Sequence, residues 1–338
     1  MLIEKLEIKN YKSIGEISIV NPSPFTVFVG ANACGKSNIF EAIEYLYYSL
    51  KYNDQSFLEL RRIFGGPYEL RNKMDRDYPG IAWKINIVTP DSSEYEKDNK
   101  CVIRNIFRIE EKPITMPFVS KTYDVQTDEK YSSFFNRFSR IFINDDKEKI
   151  SYRDEYRLSS SCRNLESVLK KILEDENKRE ELTDWLQLLI PGFDKISIHS
   201  DELSGTDNLL VYEQNNKIAY SKKLISNGTY NIIALLTAVF QSDEPQFLCI
   251  EEPENGLNPK VVKKLVSFFR QKCEENGHYI WLNTHSQTLV RELTNQEIIL
   301  VDKIGGRTQI KQVQDKNLHG IPMDEALMTN MLGGGIPW

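Results

Sequence analysis

Residues 2–9 alternate apolar and charged positions, the pattern of a half-buried strand, and 11–20 repeat it after a short turn. Pro22 and Pro24 punctuate the chain before 25–29, a β-rich run that ends in Gly30. From Ser37 the period changes: Ile39, Phe40, Ile43, Leu46 and Tyr47 recur at steps of three and four, which predicts a helix. The middle carries three β-rich runs, 81–88, 101–109 and 114–125, joined by polar loops and expected to form an antiparallel meander. Helical periodicity returns over 165–190 through Leu165, Val168, Leu169, Ile172, Leu182, Trp185, Leu186 and Leu189, and Pro191-Gly192 ends it. The last third has an α/β rhythm. It predicts strands at 218–224, 247–250 and 279–283, helices at 230–240, 260–273 and 289–293, and a pair of edge strands at 297–301 and 308–313. Strands alternating with helices predict an α/β fold with a mainly parallel sheet. The first 50 and last 150 residues would share it, with the middle inserted. No heptad pattern, internal repeat or low-complexity tract interrupts this organisation.

Four constellations carry chemistry. The first is Gly30-Ala31-Asn32-Ala33-Cys34-Gly35-Lys36-Ser37, a full match to G-x-x-x-x-G-K-[ST] placed between a predicted strand and a predicted helix. Glycines let successive N–H groups turn inward around phosphates, and the helix that follows offers its positive end. Lys36 has the reach for β- and γ-phosphates and Ser37 the hydroxyl for Mg²⁺. The second is Glu251-Glu252, which ends the apolar run 247–250: the first carboxylate is placed to hold Mg²⁺, the second to polarise a water. Alone, such a pair reads as a solvated strand end. The third is His285, after another buried strand, where an imidazole would meet a terminal phosphate or its attacking water. The fourth, Ser226-Asn227-Gly228-Thr229, reads either as a plain N-cap or as an anion site made of a hydroxyl, a bare backbone and a helix N-terminus.

Composition narrows the class. The 338 residues are 40% hydrophobic and 27% charged, with 43 Lys+Arg against 49 Asp+Glu and a net charge of −6. That is a globular chain of about two domains' length, without the basic excess of a protein that grips nucleic acid through its backbone phosphates. A mixed-charge stretch, 61–76, with Arg61, Arg62, Arg71, Lys73 and Arg76 is the one local candidate for DNA contact, diluted by Glu69 and Asp75. The cysteines at 34, 101, 162, 249 and 273 show neither CxxC spacing nor a neighbouring His, so no disulfide frame or zinc site is expected. Apolar stretches fall short of the roughly 18–20 residues a membrane helix needs, and the charged opening is unlike a signal peptide. The expectation is a cytoplasmic protein with no membrane contact.

The four constellations, in this order, resemble the ATP-binding head of the ABC-type ATPase superfamily, nearest to the branch containing RecF, the SMC proteins and the OLD-family ATPases. The opening 6–14, LEIKNYKSI, is similar to that branch's first strand and turn, and 250–259, IEEPENGLNP, to its second phosphate-site block. The resemblance implies a P-loop NTPase with an ABC-type head, a mainly parallel sheet plus an N-terminal antiparallel β lobe. The head would be discontinuous over 1–50 and 190–302, with a β-meander and helical subdomain inserted at 51–189 and a C-terminal strand and tail at 303–338. It implies ATP and Mg²⁺, with Gly30, Asn32, Gly35, Lys36, Ser37 and Asn38 around the nucleotide and Ser37 and Glu251 at the metal. Lys36, Glu252 and His285 would be catalytic, the last as the switch histidine. Ser226 and Gly228 would form the signature that meets the γ-phosphate of a second subunit, Asn258 would lie near the dimer contact, and Lys12 and Ser13 would touch phosphates from the first hairpin.

Two departures matter. Glu251 stands where most of the superfamily has Asp, and Thr229 where many relatives have Gln; Gln126 is only a candidate for the glutamine that links Mg²⁺ to the insertion. Slow hydrolysis is therefore expected. After His285 no compact carboxylate cluster follows beyond Asp324 and Glu325, so a second enzyme is not expected. The resemblance implies a head that dimerises on ATP and controls a separately encoded effector in prokaryotic antiphage defence. The alternatives are a RecF-like repair clamp that binds DNA directly and a nucleotide-binding scaffold that does not hydrolyse. The end of the chain, 323–338, reads either as a Gly-rich arm with an aromatic anchor or as a tail packed on its own head.

Overall fold

A computed structural model describes residues 2–51, 63–65, 67–70, 72, 80–88, 100–110, 118–125, 137–143, 157–201, 205–214, 216, 218–318 and 320–335. The strands are β1 (Leu2–Tyr11), β2 (Ile14–Val20), β3 (Phe25–Val29), β4 (Gly80–Val88), β5 (Lys100–Glu110), β6 (Phe118–Val125), β7 (Phe138–Ile141), β8 (Phe193–Asp201), β9 (Thr206–Glu213), β10 (Tyr220–Ser221), β11 (Phe247–Glu251), β12 (Tyr279–Thr284), β13 (Ile298–Ile304) and β14 (Arg307–Gln312). The helices are α1 (Lys36–Lys51), α2 (Pro67–Leu70), α3 (Leu165–Glu174), α4 (Glu176–Leu189), α5 (Asn227–Phe240), α6 (Pro259–Asn276), α7 (Gln287–Arg291) and α8 (Met323–Met328).

Among the described residues an 11-stranded sheet runs in the order β6-β5-β4-β1-β2-β14-β13-β3-β12-β11-β7. From β13 to β7 every neighbouring pair is parallel, and from β6 to β2 every pair is antiparallel. Strands β3, β11 and β12 read as apolar runs because both faces of the parallel part are covered. Val27, Val29, Leu248, Ile250, Ile280 and Leu282 pack on one face with α3–α7. Phe28, Phe247, Cys249 and Trp281 pack on the other with α1, β1 and β2. The two sets alternate along each strand, as side chains of period two must. A 3-stranded sheet, β10-β9-β8, lies apart from the large one.

Four expectations change. The strands predicted at 297–301 and 308–313 do pair, as β13 and β14, but they are interior: β13 lies on β3 and β14 meets β2. Burial of Ile298, Ile299, Leu300 and Val301 supplies the reason. The strand expected over 218–224 shrinks to β10, because Ile218 (74% exposed) and Leu224 (70%) find no sheet face to cover. The β8–β9 hairpin and β7 carried no predicted strand. The single helical run 165–190 is two helices, broken at Asp175, whose side chain accepts from Lys178 N and starts α4. The meander of the inserted segment extends the main sheet through β4 on β1, and β7, from the same segment, sits beside β11.

One buried group makes the core pH-sensitive. His278 is 1% exposed, and burial, reinforced by Lys272, lowers its pKa from 6.5 to about 4. The unfolded chain therefore binds this proton more readily between those values. The stability His278 contributes above pH 6.5 is lost as pH falls through 4. Urea unfolding midpoints should drop across that window, and His278→Gln should flatten the drop.

Candidate functional site

The loop leaving β3 has its shape because two residues lack a side chain. A Cβ on Gly30 would sit 2.1 Å from the carbonyl oxygen of Val301 and 2.9 Å from Cys34 Sγ. Gly35 has φ +110, and a Cβ there would meet Thr308 Oγ1 at 1.9 Å. Thr308 braces the loop from behind: its hydroxyl donates to Cys34 O at 2.9 Å and lies 2.6 Å from Ser13 Oγ, which also accepts from Asn38 Nδ2 at 2.6 Å. Ser13, Asn38 and the loop are thereby joined. Lys36, 6% exposed, turns its amine onto the loop's own carbonyls, Gly30 O at 2.7 Å and Ala31 O at 2.9 Å. Asn32 is exposed at the tip. Lys12, from the first hairpin, is ion-paired with Glu41 on α1, where Tyr11 OH also donates at 2.9 Å.

The acids arrive from β11. Ser37 Oγ donates to Glu251 Oε2 at 2.6 Å, so the hydroxyl and carboxylate expected at the metal are already in contact. Arg140 on β7 holds the other oxygen, Glu251 Oε1, through Nε at 2.6 Å and through Nη2. Its Nη1 donates to Glu44 Oε2 on α1 at 2.9 Å. These two acids raise the pKa of the buried Arg140 further, against desolvation, which is the largest influence and favours the neutral form.

Glu252 occupies the left-handed region, φ +47, which costs a residue with a Cβ about 1–2 kcal/mol. Asn283 holds it there: the Glu252 N–H donates to Asn283 O at 3.0 Å and to Oδ1 at 3.1 Å. The carboxylate is then fixed by Asn255 Nδ2 at 2.9 Å and lies 3.2 Å from His285 Nδ1. The two residues predicted from separate strands thus meet at the carboxyl ends of β11 and β12. Next to them Thr284 Oγ1 donates to Glu254, whose carboxyl burial shifts upward from its ordinary value of 4.5.

The fourth constellation braces this loop. Ser226 accepts from Thr229 N at 3.1 Å as the N-cap of α5, and a Cβ on Gly228 would lie 2.7 Å from Gly256 O. Asn231 on the same helix donates to Asn255 O at 2.8 Å. Asn258 N-caps α6 through Val261 N at 3.1 Å. A cavity of about 230 Å³ opens between these parts, lined by Ser37, Phe142, Ile143, Asn231, Glu251, Glu252, Pro253 and Asn255. Its wall from the insertion is Phe142–Ile143, directly after β7; Gln126 lies outside the described residues. So do Arg61, Arg62, Arg71, Lys73 and Arg76. The tail packs on the head as far as it is described: Leu332 is fully buried and Gly335 N donates to Asp302 at 2.9 Å.

Phosphates and Mg²⁺ fit these residues. Gly30 and Gly35 let the loop backbone press onto Val301 and Thr308 where a Cβ would clash, a buried ammonium is held against the loop's own carbonyls, and a hydroxyl and a carboxylate supply the hard oxygens that Mg²⁺ prefers. Arg140, Thr308, Asn283 and Asn255 were not singled out from sequence. The one available signal was the position of Asn283, two residues before His285 and at a strand end.

The family model described as "AAA domain, putative AbiEii toxin, Type IV TA system" matches residues 25–291, which include the loop, both acids and His285. The chain belongs to this family. It is similar to the DNA replication and repair protein RecF of Lactococcus lactis, 25% identical over 91% of each chain. A 41-residue stretch is 51% identical to the chromosome partition protein Smc of Methanocaldococcus jannaschii, covering 12% of this chain and 4% of Smc. Among solved structures, the Smc head bound to the C-winged helix domain of ScpA superposes with a TM-score of 0.61 at 18% identity, over 92% of this chain and 98% of that one. The SMC head domain from Thermotoga maritima gives 0.55 at 13%, over 93% and 99%. The fold is that of an ABC-type ATPase head of the RecF/SMC branch. Among the described residues no helix is long and apolar enough to cross a membrane.

Proposed function

We propose that this chain binds and hydrolyses ATP as a switch: two copies close on nucleotide, each completing the other's site, and hydrolysis reopens them. The observation that carries the reading is the meeting of the glycine loop, Ser37–Glu251 and Glu252–His285 at the carboxyl ends of β3, β11 and β12, where open α/β sheets take their ligands. Lys36 would exchange its two loop carbonyls for phosphate oxygens. Ser37 and Glu251 would hold Mg²⁺, which when bound neutralises charge on the β- and γ-phosphate oxygens. Glu252 would take the proton of the attacking water, and His285 would keep carboxylate and water in line. Ser226 and Gly228 would serve the second copy: the cavity beside Ser37 draws Asn231 from α5, not these two.

The switch would control a separately encoded effector in prokaryotic antiphage defence, a reading supported by the toxin–antitoxin description of the family. The end-to-end similarity to RecF favours a second reading, a clamp acting on DNA. ATP turnover of the purified chain with and without duplex DNA, at low and high salt, tests both. The switch predicts turnover indifferent to DNA. Stimulation that falls steeply with salt would assign the clamp. Absence of turnover in a chain that still binds ATP would leave a nucleotide-binding scaffold.

A further inference from the structure

Arg140 belongs to none of the four constellations, yet it lies directly beneath the metal-side carboxylate. It is 8% exposed. A guanidinium at that depth is stabilising only if its donors are matched, and an apolar pair of similar volume would serve packing as well. The donors here are divided. Nε and Nη2 converge on Glu251 Oε1, while Nη1 reaches across to Glu44 on α1, the helix that begins with Lys36 and Ser37. Among the described residues Glu251 Oε2 is left to Ser37, at 2.6 Å. The guanidinium also sits 5.4 Å from the ring of Phe142, which lines the cavity.

A glutamate has one more torsion than an aspartate, and its carboxylate sweeps a larger volume unless something holds it. We propose that Arg140 is the positioning residue that fits a glutamate to this metal site: it takes Oε1, so that only Oε2, beside Ser37, is presented to Mg²⁺. This deepens the ATP-site reading and rests on it. Lysine would keep the charge but not the two convergent donors of the planar fork.

The test is an Mg²⁺ titration of the binding of a fluorescent ATP analogue, followed by anisotropy, with binding in EDTA as the baseline. Arg140→Lys should raise the Mg²⁺ midpoint about 10- to 100-fold, the usual effect of losing the partner behind a metal ligand, and leave the EDTA baseline unchanged. Glu251→Asp should raise the midpoint too. Adding Arg140→Lys to it should raise it little more, because the shorter arm no longer spans Ser37 and the guanidinium. Glu44→Gln, which leaves the contacts to Glu251 in place and keeps an oxygen facing Nη1, should shift the midpoint much less than Arg140→Lys does.

An unchanged midpoint in Arg140→Lys would overturn the proposal, as would equal weakening in EDTA and Mg²⁺, or a Glu44→Gln shift as large as that of Arg140→Lys. Thermal melts confirm that each variant is folded at the assay temperature. If Arg140→Lys does not fold, the cycle is run with Arg140→Gln against Glu251→Asp, and additive shifts there would overturn the proposal. A wild-type chain that binds no nucleotide, or binds it without regard to Mg²⁺, would instead sink the ATP-site reading itself.

Discussion

Glu252→Gln is expected to lower ATP turnover about 10³-fold while nucleotide still binds, the size of effect expected when a positioned general base is removed. The substitution is isosteric, and the side chain lies beside His285 and Asn255 at a partly exposed position. The backbone contacts that hold residue 252 at φ +47 come from Asn283 and do not involve the carboxylate. Stability should therefore change by less than about 0.5 kcal/mol. Phosphate release and equilibrium nucleotide binding, measured on the same preparation, check this. Loss of both together would mean that Glu252 shapes the loop and is not the base.

Gly30→Ala should have a large structural effect for a single added methyl. The new Cβ would fall 2.1 Å from Val301 O, a backbone atom of interior strand β13, which has no flexible end to swing aside. The loop has to move, at a cost of about 3 kcal/mol, the upper end of the usual overpacking range. A displacement of about 1 Å at a reacting centre is enough for a 10²-fold loss. Urea unfolding and nucleotide binding should therefore both suffer. Gly15→Ala is the control: its Cβ would meet only the side chain of Arg307, at 3.2 Å, and that side chain can shift. Equal behaviour of the two variants would contradict the steric account.

What was legible in the sequence follows from the range of the interactions. Gly30, Gly35, Lys36 and Ser37 announce themselves because their spacing is local, and β11 and β12 because strands covered on both faces are continuously apolar. Glu252 and His285 were readable as the polar residues that end or follow such runs. Strand β7 was not, because Ser139 and Arg140 interrupt it, and both are buried for reasons supplied by other segments. Thr308 braces Cys34 from 274 residues away, a partnership no local pattern encodes. The opposite error occurred at 218–224, where Ile218 and Leu224 suggest a strand but stand in solvent.

The central claim is that nucleotide brings two copies together. Sedimentation velocity of Glu252→Gln, with and without ATP and Mg²⁺, tests it most directly, because the variant is expected to hydrolyse only slowly the ligand that would hold the dimer. The account predicts a monomer without nucleotide and a dimer with it. It also predicts that adding Ser226→Arg, at an exposed position whose capping bond is worth only about 1 kcal/mol, abolishes the dimer while ATP binding to each copy persists. A Glu252→Gln chain that binds ATP and stays monomeric would contradict the account.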